Sequence, residues 1–329
     1  MPDKKRKTRV AAVLDVGTFH ERFGTDEACL DHLKEARWGK DLESFTCPVC
    51  KHEKGWWLGT RKLVECCACY RQTSVTAGTV FHQIRTPLWK WFWAMYQLAQ
   101  DKKGIAALEL AKQIRVGYRT AWLMLHKLRR AMRRRNERYM LQGLVEVVEP
   151  SLVRDETYVG GAEPGHPGRG VEKKVPVAVA LELTEDGKPR RIAMSTVARV
   201  DGHSLKRFAT ANVKKGSMLR TDGWSAYRSV AKAGYTHEAI TTGSGRTAVQ
   251  TFPWLHTFIS NLKRMLRESG RIRLGTYHSV SAKHLDNYLA EFTYRANRRW
   301  MEGTLFDRLI VAAIDSKAIT YKELRTGAK

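Results

Sequence analysis

The chain has 329 residues, 43% of them hydrophobic, and 58 Lys plus Arg against 33 Asp plus Glu give a formal net charge of +25. That length and apolar content predict two or three globular domains and exclude a disordered chain. Such an excess of positive charge attracts polyanions, which points to nucleic acid, with an anionic membrane surface as the lesser alternative.

The N-terminal run Lys4 to Arg9, followed by Val10 to Leu14, superficially resembles a secretion signal. Its apolar part is short, is broken at Asp15 and lacks a small-residue cleavage site, so residues 1–18 read as a basic tail. No stretch reaches the roughly 18 apolar residues of a membrane span. A cytoplasmic, nucleoid-associated protein is expected, with its cysteines reduced or metal-bound.

Five of the six cysteines fall between positions 47 and 69. Cys47-Pro-Val-Cys50 and Cys66-Cys-Ala-Cys69 are two C-x2-C knuckles fifteen residues apart, the spacing of a four-cysteine structural zinc site. Paired disulfides are the alternative, and Cys67 leaves open which thiol is spare. Cys29, on a short amphipathic helix, reads as a core residue. Residues 19–83 are therefore expected to form an N-terminal helix and zinc ribbon.

Pro87 opens a helix through Leu98 whose tryptophans surround it on all sides, which favours a buried element over base-stacking platforms. Ile105 to Ile114, the turn Arg115-Val-Gly-Tyr118 and a long helix from about Arg119 follow the helix-turn-helix pattern over residues 84–138. At about 100° per residue, Ala121, Leu125, Leu128 and Met132 share one side. Arg119, His126, Arg130 and Arg133 share the other and are candidate DNA contacts, with a solvated basic face as the alternative. The run Arg129 to Arg135 suits phosphate.

From Leu144 the pattern becomes alternating. Leu144 to Val148, Val175 to Leu183 and Arg191 to Val200 read as strands, with a hairpin signal at Glu185 to Lys188. A helix near His203 to Ala211, a strand Ser217 to Thr221, a helix near Ala226 to Ala233 and a strand Tyr235 to Ala239 follow. This βββ-α-β-α-β-α order predicts an α/β fold, an RNase H-like catalytic domain with a mixed sheet flanked by helices, over residues 139–300. Residues 301–329 read as a C-terminal segment.

Asp155, near the end of the first of these strands, and Asp222, just past the fourth, would converge on neighbouring strands. Paired carboxylates suit magnesium or manganese, and two such ions support phosphoryl transfer. Asp222-Gly223 is by itself also an ordinary turn dipeptide. On the helix Trp254 to Arg267, Leu255, Phe258, Ile259, Leu262 and Leu266 make an apolar face. His256, Ser260, Lys263 and Arg267 lie together away from it. His256 could reach a metal while Lys263, with Arg264, contacts DNA; a lone helical histidine is more often structural.

These residues resemble the bacterial insertion-sequence transposases that carry a zinc ribbon, a helix-turn-helix and an ISXO-type catalytic domain. The resemblance runs from about Phe19 to Arg299. It rests on Cys47-Pro-Val-Cys50, Thr73-Ser-Val-Thr-Ala-Gly-Thr-Val-Phe-His82, Thr120-Ala-Trp122, Asp155-Glu-Thr-Tyr-Val-Gly-Gly161, Thr221-Asp-Gly223, Gly275-Thr-Tyr-His278 and Glu291 to Arg299. It implies a catalytic set of Asp, Asp and then Glu, Asn or His, with Lys seven residues on, which Asp155, Asp222, His256 and Lys263 fit. The implied activity is binding of terminal inverted repeats, metal-dependent cleavage and transfer of the 3′-hydroxyl to target DNA, by a homodimer or higher oligomer. A non-catalytic descendant that still binds DNA, and a structure-selective nuclease, are the competing readings.

The chain departs from the family in two places. Glu149-Pro-Ser-Leu-Val-Arg154 separates the first strand from Asp155, which predicts a bulge or an altered strand there. Pro253 replaces the usual Asn ahead of the third position, and that position holds His256 where many members carry glutamate. A neutral imidazole binds magnesium less readily than a carboxylate and favours manganese.

Overall fold

The computed structural model describes residues 14–100, 103–148, 175–199, 201–223, 225–231, 233–240, 246–266, 275–277 and 280–326. Contacts divide the chain into two units, residues 1–131 with 298–325, and residues 132–297 with 326–329.

The first unit opens with α1 (Val16–Phe23), whose first turn is capped by the Asp15 carboxylate accepting from Thr18 N. Thr25 does the same for α2 (Asp26–Trp38), with Asp26 and Glu27 in the favourable first turn. A three-stranded antiparallel sheet follows, β1 (Gly55–Leu58), β2 (Leu63–Cys66) and β3 (Gln72–Ser74). The next helix, α3 (Leu88–Gln100), borrows its cap: the Asp26 carboxylate accepts from Trp89 N at 3.0 Å.

Trp91, Phe92, Met95 and Leu98 of α3 are buried, as the density of apolar residues around the helix predicts. Trp93, on its more exposed side, donates to Gln113 at 2.9 Å and stacks on Tyr96, so this ring too is engaged by protein. Phe19, Phe23, Phe92 and Phe306 form one aromatic cluster, with centroids 5.1 Å apart for Phe23 and Phe92 and 5.3 Å for Phe23 and Phe306. Phe306 comes from α11 (Leu305–Ile314), which joins this unit although it is remote in sequence. Backbone bonds from Val80 N to Ala313 O and from Ala318 N to Gly78 O tie the same segment down.

Two helices, α4 (Ala107–Gln113) and α5 (Tyr118–Asn136), are joined by a tight turn in which Arg115 takes a φ of +49°. The expected division of α5 into an apolar and a basic side needs correction. His126 is fully buried, its ring 4.1 Å from that of Trp122, and Arg129 is buried as well. Lys127 is buried beneath Trp91 and donates to Val80 O. Burial holds its ammonium below the usual lysine range. A helix packed on more than one side carries basic residues inward as well as outward, so exposure does not follow the angular count. A last short helix, α12 (Tyr321–Thr326), presents Tyr321 to the Arg119 guanidinium.

The second unit is built on a five-stranded mixed sheet. Its strands are β4 (Leu144–Val148), β5 (Val177–Leu183), β6 (Pro189–Thr196), β7 (Met218–Thr221) and β8 (Thr236–Ala239), in spatial order β6-β5-β4-β7-β8. β4, β5 and β6 pair antiparallel, whereas β7 lies parallel to β4, and β8 parallel to β7. This is the RNase H-like arrangement. Between strands run α6 (Gly202–Asn212) and a 3-10 turn Ser225–Tyr227 leading into α7 (Arg228–Ala231); α8 (Arg246–Thr251), α9 (Pro253–Leu266) and α10 (Leu285–Ala296) follow β8.

Alternation along the strands makes two cores. Val145, Val147, Ala178, Ala180 and Leu219 pack with Leu205 and Phe208 of α6 on one side. Val177, Val179 and Leu181 pack on the other with Leu255, Phe258, Ile259 and Leu262 of α9 and Leu289 of α10. The edge strand β6 is covered by side chains of α10 and its cap. Asn297 accepts from Ile192 N at 2.7 Å and donates to Ile192 O at 2.9 Å, and Asp286 accepts from Thr196 N at 2.8 Å. Satisfied edge groups of this kind block pairing with another strand.

Candidate functional site

The ribbon site is assembled from two matching turns. Lys51 N donates to Cys47 O and Tyr70 N to Cys66 O, each closing one knuckle. Cys47 N donates to His52 O and Cys66 N to Arg71 O, so the second turn repeats the first. Lys51 and Tyr70, the residues just after each knuckle, both lie at positive φ, +66° and +57°. The sulfurs of Cys47 and Cys69 are 3.6 Å apart, those of Cys50 and Cys66 3.5 Å, and all four lie within 4.8 Å of one another.

Four sulfurs held about 2.3 Å from a tetrahedral ion would be about 3.8 Å apart, so the set fits a closed metal site. The Cys47 thiol is brought down to about 6, chiefly by the N–H of Cys50. At Cys50 the N–H of His52 pulls down, but Cys69, burial and the other two thiols win and push it up to about 12. Four thiols this close do not all ionise without a cation among them. Cys67 stands outside the set, and Cys29 is buried and donates to Phe23 O, as expected of a core residue.

In the second unit the fold brings the end of β4 beside the end of β7. The parallel register runs to Val147 opposite Thr221, and Asp222 is the next residue, partly exposed. Asp155 lies outside the described residues; the described part of β4 ends at Val148, seven residues earlier. His256 and Lys263 are both partly exposed on α9, and Arg264 is exposed. The α9 core lies on the Leu144 side of the sheet. Among the described residues, no group of three His, Cys, Asp or Glu side chains other than the four cysteines comes together around a metal-sized point. Of the candidate DNA contacts, Arg119 is exposed, Arg130 and Arg133 are partly exposed, and His126 is buried.

One group escaped the sequence reading. Glu146 sits between Val145 and Val147 on β4, on the opposite face from them, and is buried; its Oε2 meets no partner among the described residues. It stands in one row with Arg220 on β7 and Glu238 on β8, and Arg220 donates to Glu238 at 3.0 Å. Burial raises the Glu146 carboxyl to about 7, against the pull of Arg220. The signal was an acid inside a valine strand.

Residues 140–297 match the model of the ISXO2-like transposase domain, and residues 24–72 that of the transposase zinc-ribbon domain. The two matches together span more than half of the chain. It belongs to the ISXO2-like transposases. Among solved structures, this transposase is similar to a chain of the "Crystal structure of a pre-cleavage Mos1 transpososome". The identity is 14%, with 70% of this chain and 80% of that chain covered and a TM-score of 0.27, too distant to support any inference. Nothing among curated proteins matches the transposase. No described helix is long and apolar enough to cross a membrane.

Proposed function

We propose that this transposase binds the terminal inverted repeats of its element, cleaves them at a divalent-metal site and joins the freed 3′-hydroxyl to target DNA. The observation that carries the reading is Asp222, the first residue beyond β7 and next to the end of β4, the strand that leads toward Asp155. Two carboxylates there fit the oxygen preference of magnesium or manganese, and an imidazole from His256 favours manganese. Such ions, when bound, lower the cost of forming an oxygen nucleophile and a charged leaving oxygen.

The protein's own residues do the remaining work. Asp155, Asp222 and His256 would hold the metal, and Lys263 and Arg264 would take a DNA phosphate. In the first step a water oxygen bonds to phosphorus and the bond to the 3′-oxygen breaks. In the second, that 3′-hydroxyl bonds to a target phosphorus and displaces a new 3′-hydroxyl. Arg119, Arg130 and Arg133 supply backbone contacts, and the charge of +25 favours the approach of DNA. Cys47, Cys50, Cys66 and Cys69 would hold a zinc ion in a structural role. Holding two ends together calls for a dimer or higher oligomer, acting in the cytoplasm at the nucleoid.

A non-catalytic, DNA-binding descendant is the second reading, favoured by the six residues between Val148 and Asp155. Asp155→Ala and Asp222→Ala separate the two. Each should abolish cleavage of end-bearing DNA while leaving end binding intact. Wild-type protein that cleaves with neither magnesium nor manganese overturns the enzymatic reading. Joining of pre-cleaved ends distinguishes a transposase reaction from simple nuclease action.

A further inference from the structure

The residue before Asp222 is fixed from several directions. Thr221 is the last paired residue of β7, opposite Val147 on one side and Ala239 on the other. Its carbonyl accepts from Ile240 N at 2.9 Å. The side chain is fully buried, and its Oγ1 lies 2.9 Å from Nε2 of His237 on β8. The same oxygen accepts from Gly223 N at 3.5 Å.

A hydroxyl that bonds the N–H two residues on forms a small local ring, and here the residue at its centre is Asp222. Gly223 completes the turn at a φ of +82°, a conformation that side-chain-bearing residues rarely adopt. Gly223 N and His237 Nε2 both engage Oγ1, which fixes the Thr221 rotor. The His237 ring in turn packs beside Tyr227, with centroids 6.3 Å apart. The backbone that carries the Asp222 carboxylate is thus held by a side-chain relay from the neighbouring strand as well as by the ladder.

We infer that His237, acting through the Thr221 hydroxyl, is a positioning residue for the Asp222 carboxylate. The inference rests on the reading of Asp222 as a metal-holding group. A carboxylate must be held to within about 0.5 Å to present its oxygens to an ion, and the backbone that carries Asp222 is held by this relay as well as by the ladder.

The test uses full-length His237→Ala, Thr221→Val, the double variant and His237→Gln, whose amide can bond the same hydroxyl. Mn2+ binding is measured by calorimetry, kcat and KM on an end-bearing duplex, and Tm by thermal unfolding. Each single variant should weaken Mn2+ binding roughly ten- to a hundredfold and lower kcat with KM for DNA unchanged. The double variant should be no worse than the worse single one, because both break the same relay. His237→Gln should recover most of the loss.

Wild-type-like Mn2+ binding in His237→Ala overturns the inference while the metal site stands, provided Asp222→Ala loses binding. A loss that tracks Tm and is not recovered by His237→Gln marks a purely structural role and also overturns it. If Asp222→Ala leaves Mn2+ binding unchanged, the metal reading fails and the inference falls with it.

Discussion

The two candidate metal sites are built in opposite ways. In the ribbon, four ligands lie within 23 residues on two repeated turns, and local backbone bonds alone bring the sulfurs together. In the RNase H-like unit the candidate groups come from separate elements, the region after β4, the end of β7 and one side of α9. Bringing these groups together would depend on strand order and helix packing rather than on any local turn. A site made of local turns can be read as a unit; a site made of long-range packing depends on every element that frames it.

The largest effect should come from breaking the local site. Metal analysis of the wild type should find about one zinc per chain, and Cys50→Ser should lose it. Apparent zinc binding of roughly 10–16 kcal/mol in small zinc domains is folding energy, so the first unit should lose cooperative unfolding in that variant. A folded, metal-free wild type would reverse the comparison.

The distributed site should respond in chemistry rather than stability. Asp222→Ala should lower cleavage by roughly a thousandfold or more, since metal-held charge is worth several kcal/mol in the transition state. Its Tm should stay close to that of the wild type, because Asp222 is partly exposed at the end of a strand. A large Tm loss would mean that the aspartate is part of the framework.

Glu146 sharpens the contrast within the framework itself. Its carboxyl is raised to about 7 by burial, so the folded protein takes up a proton that the unfolded chain releases near the ordinary glutamate value. Folding is then least penalised below about pH 4.5, and the cost grows until it is complete above pH 7. Glu146→Gln should stabilise the protein by up to about 3 kcal/mol at pH 8, and the gain should vanish toward pH 4. Denaturant unfolding at the two pH values checks this; an unchanged or lowered stability at pH 8 would show that the charge is compensated. The smallest effect is expected at the sheet edge. Asn297→Ala removes two bonds to Ile192 and should cost about 1–3 kcal/mol by the same measurement.

Much of the second unit was legible before its structure. Alternation and turn residues gave β4 at its observed limits, and α9 within a residue at its start. The hairpin at Glu185 to Lys188 lies between β5 and β6 as expected. The ribbon was legible from the Cys spacing. The basic side of α5 was not, because the angular count assumes one buried side, and His126 and Arg129 pack inward. Nor was the place of α11, whose Phe306 closes an aromatic cluster with Phe19 and Phe23 nearly three hundred residues away in sequence.

The sequence by itself determined the ribbon, the strand and helix order and the candidacy of Asp222, since these follow from spacing and periodicity within short windows. Only the tertiary structure decided that Glu146 lies buried in a row with Arg220, and that Thr221 reaches His237 across a parallel strand pair. Both depend on which strands are neighbours and in what register, and a parallel register is set by packing over the whole sheet rather than by any local turn.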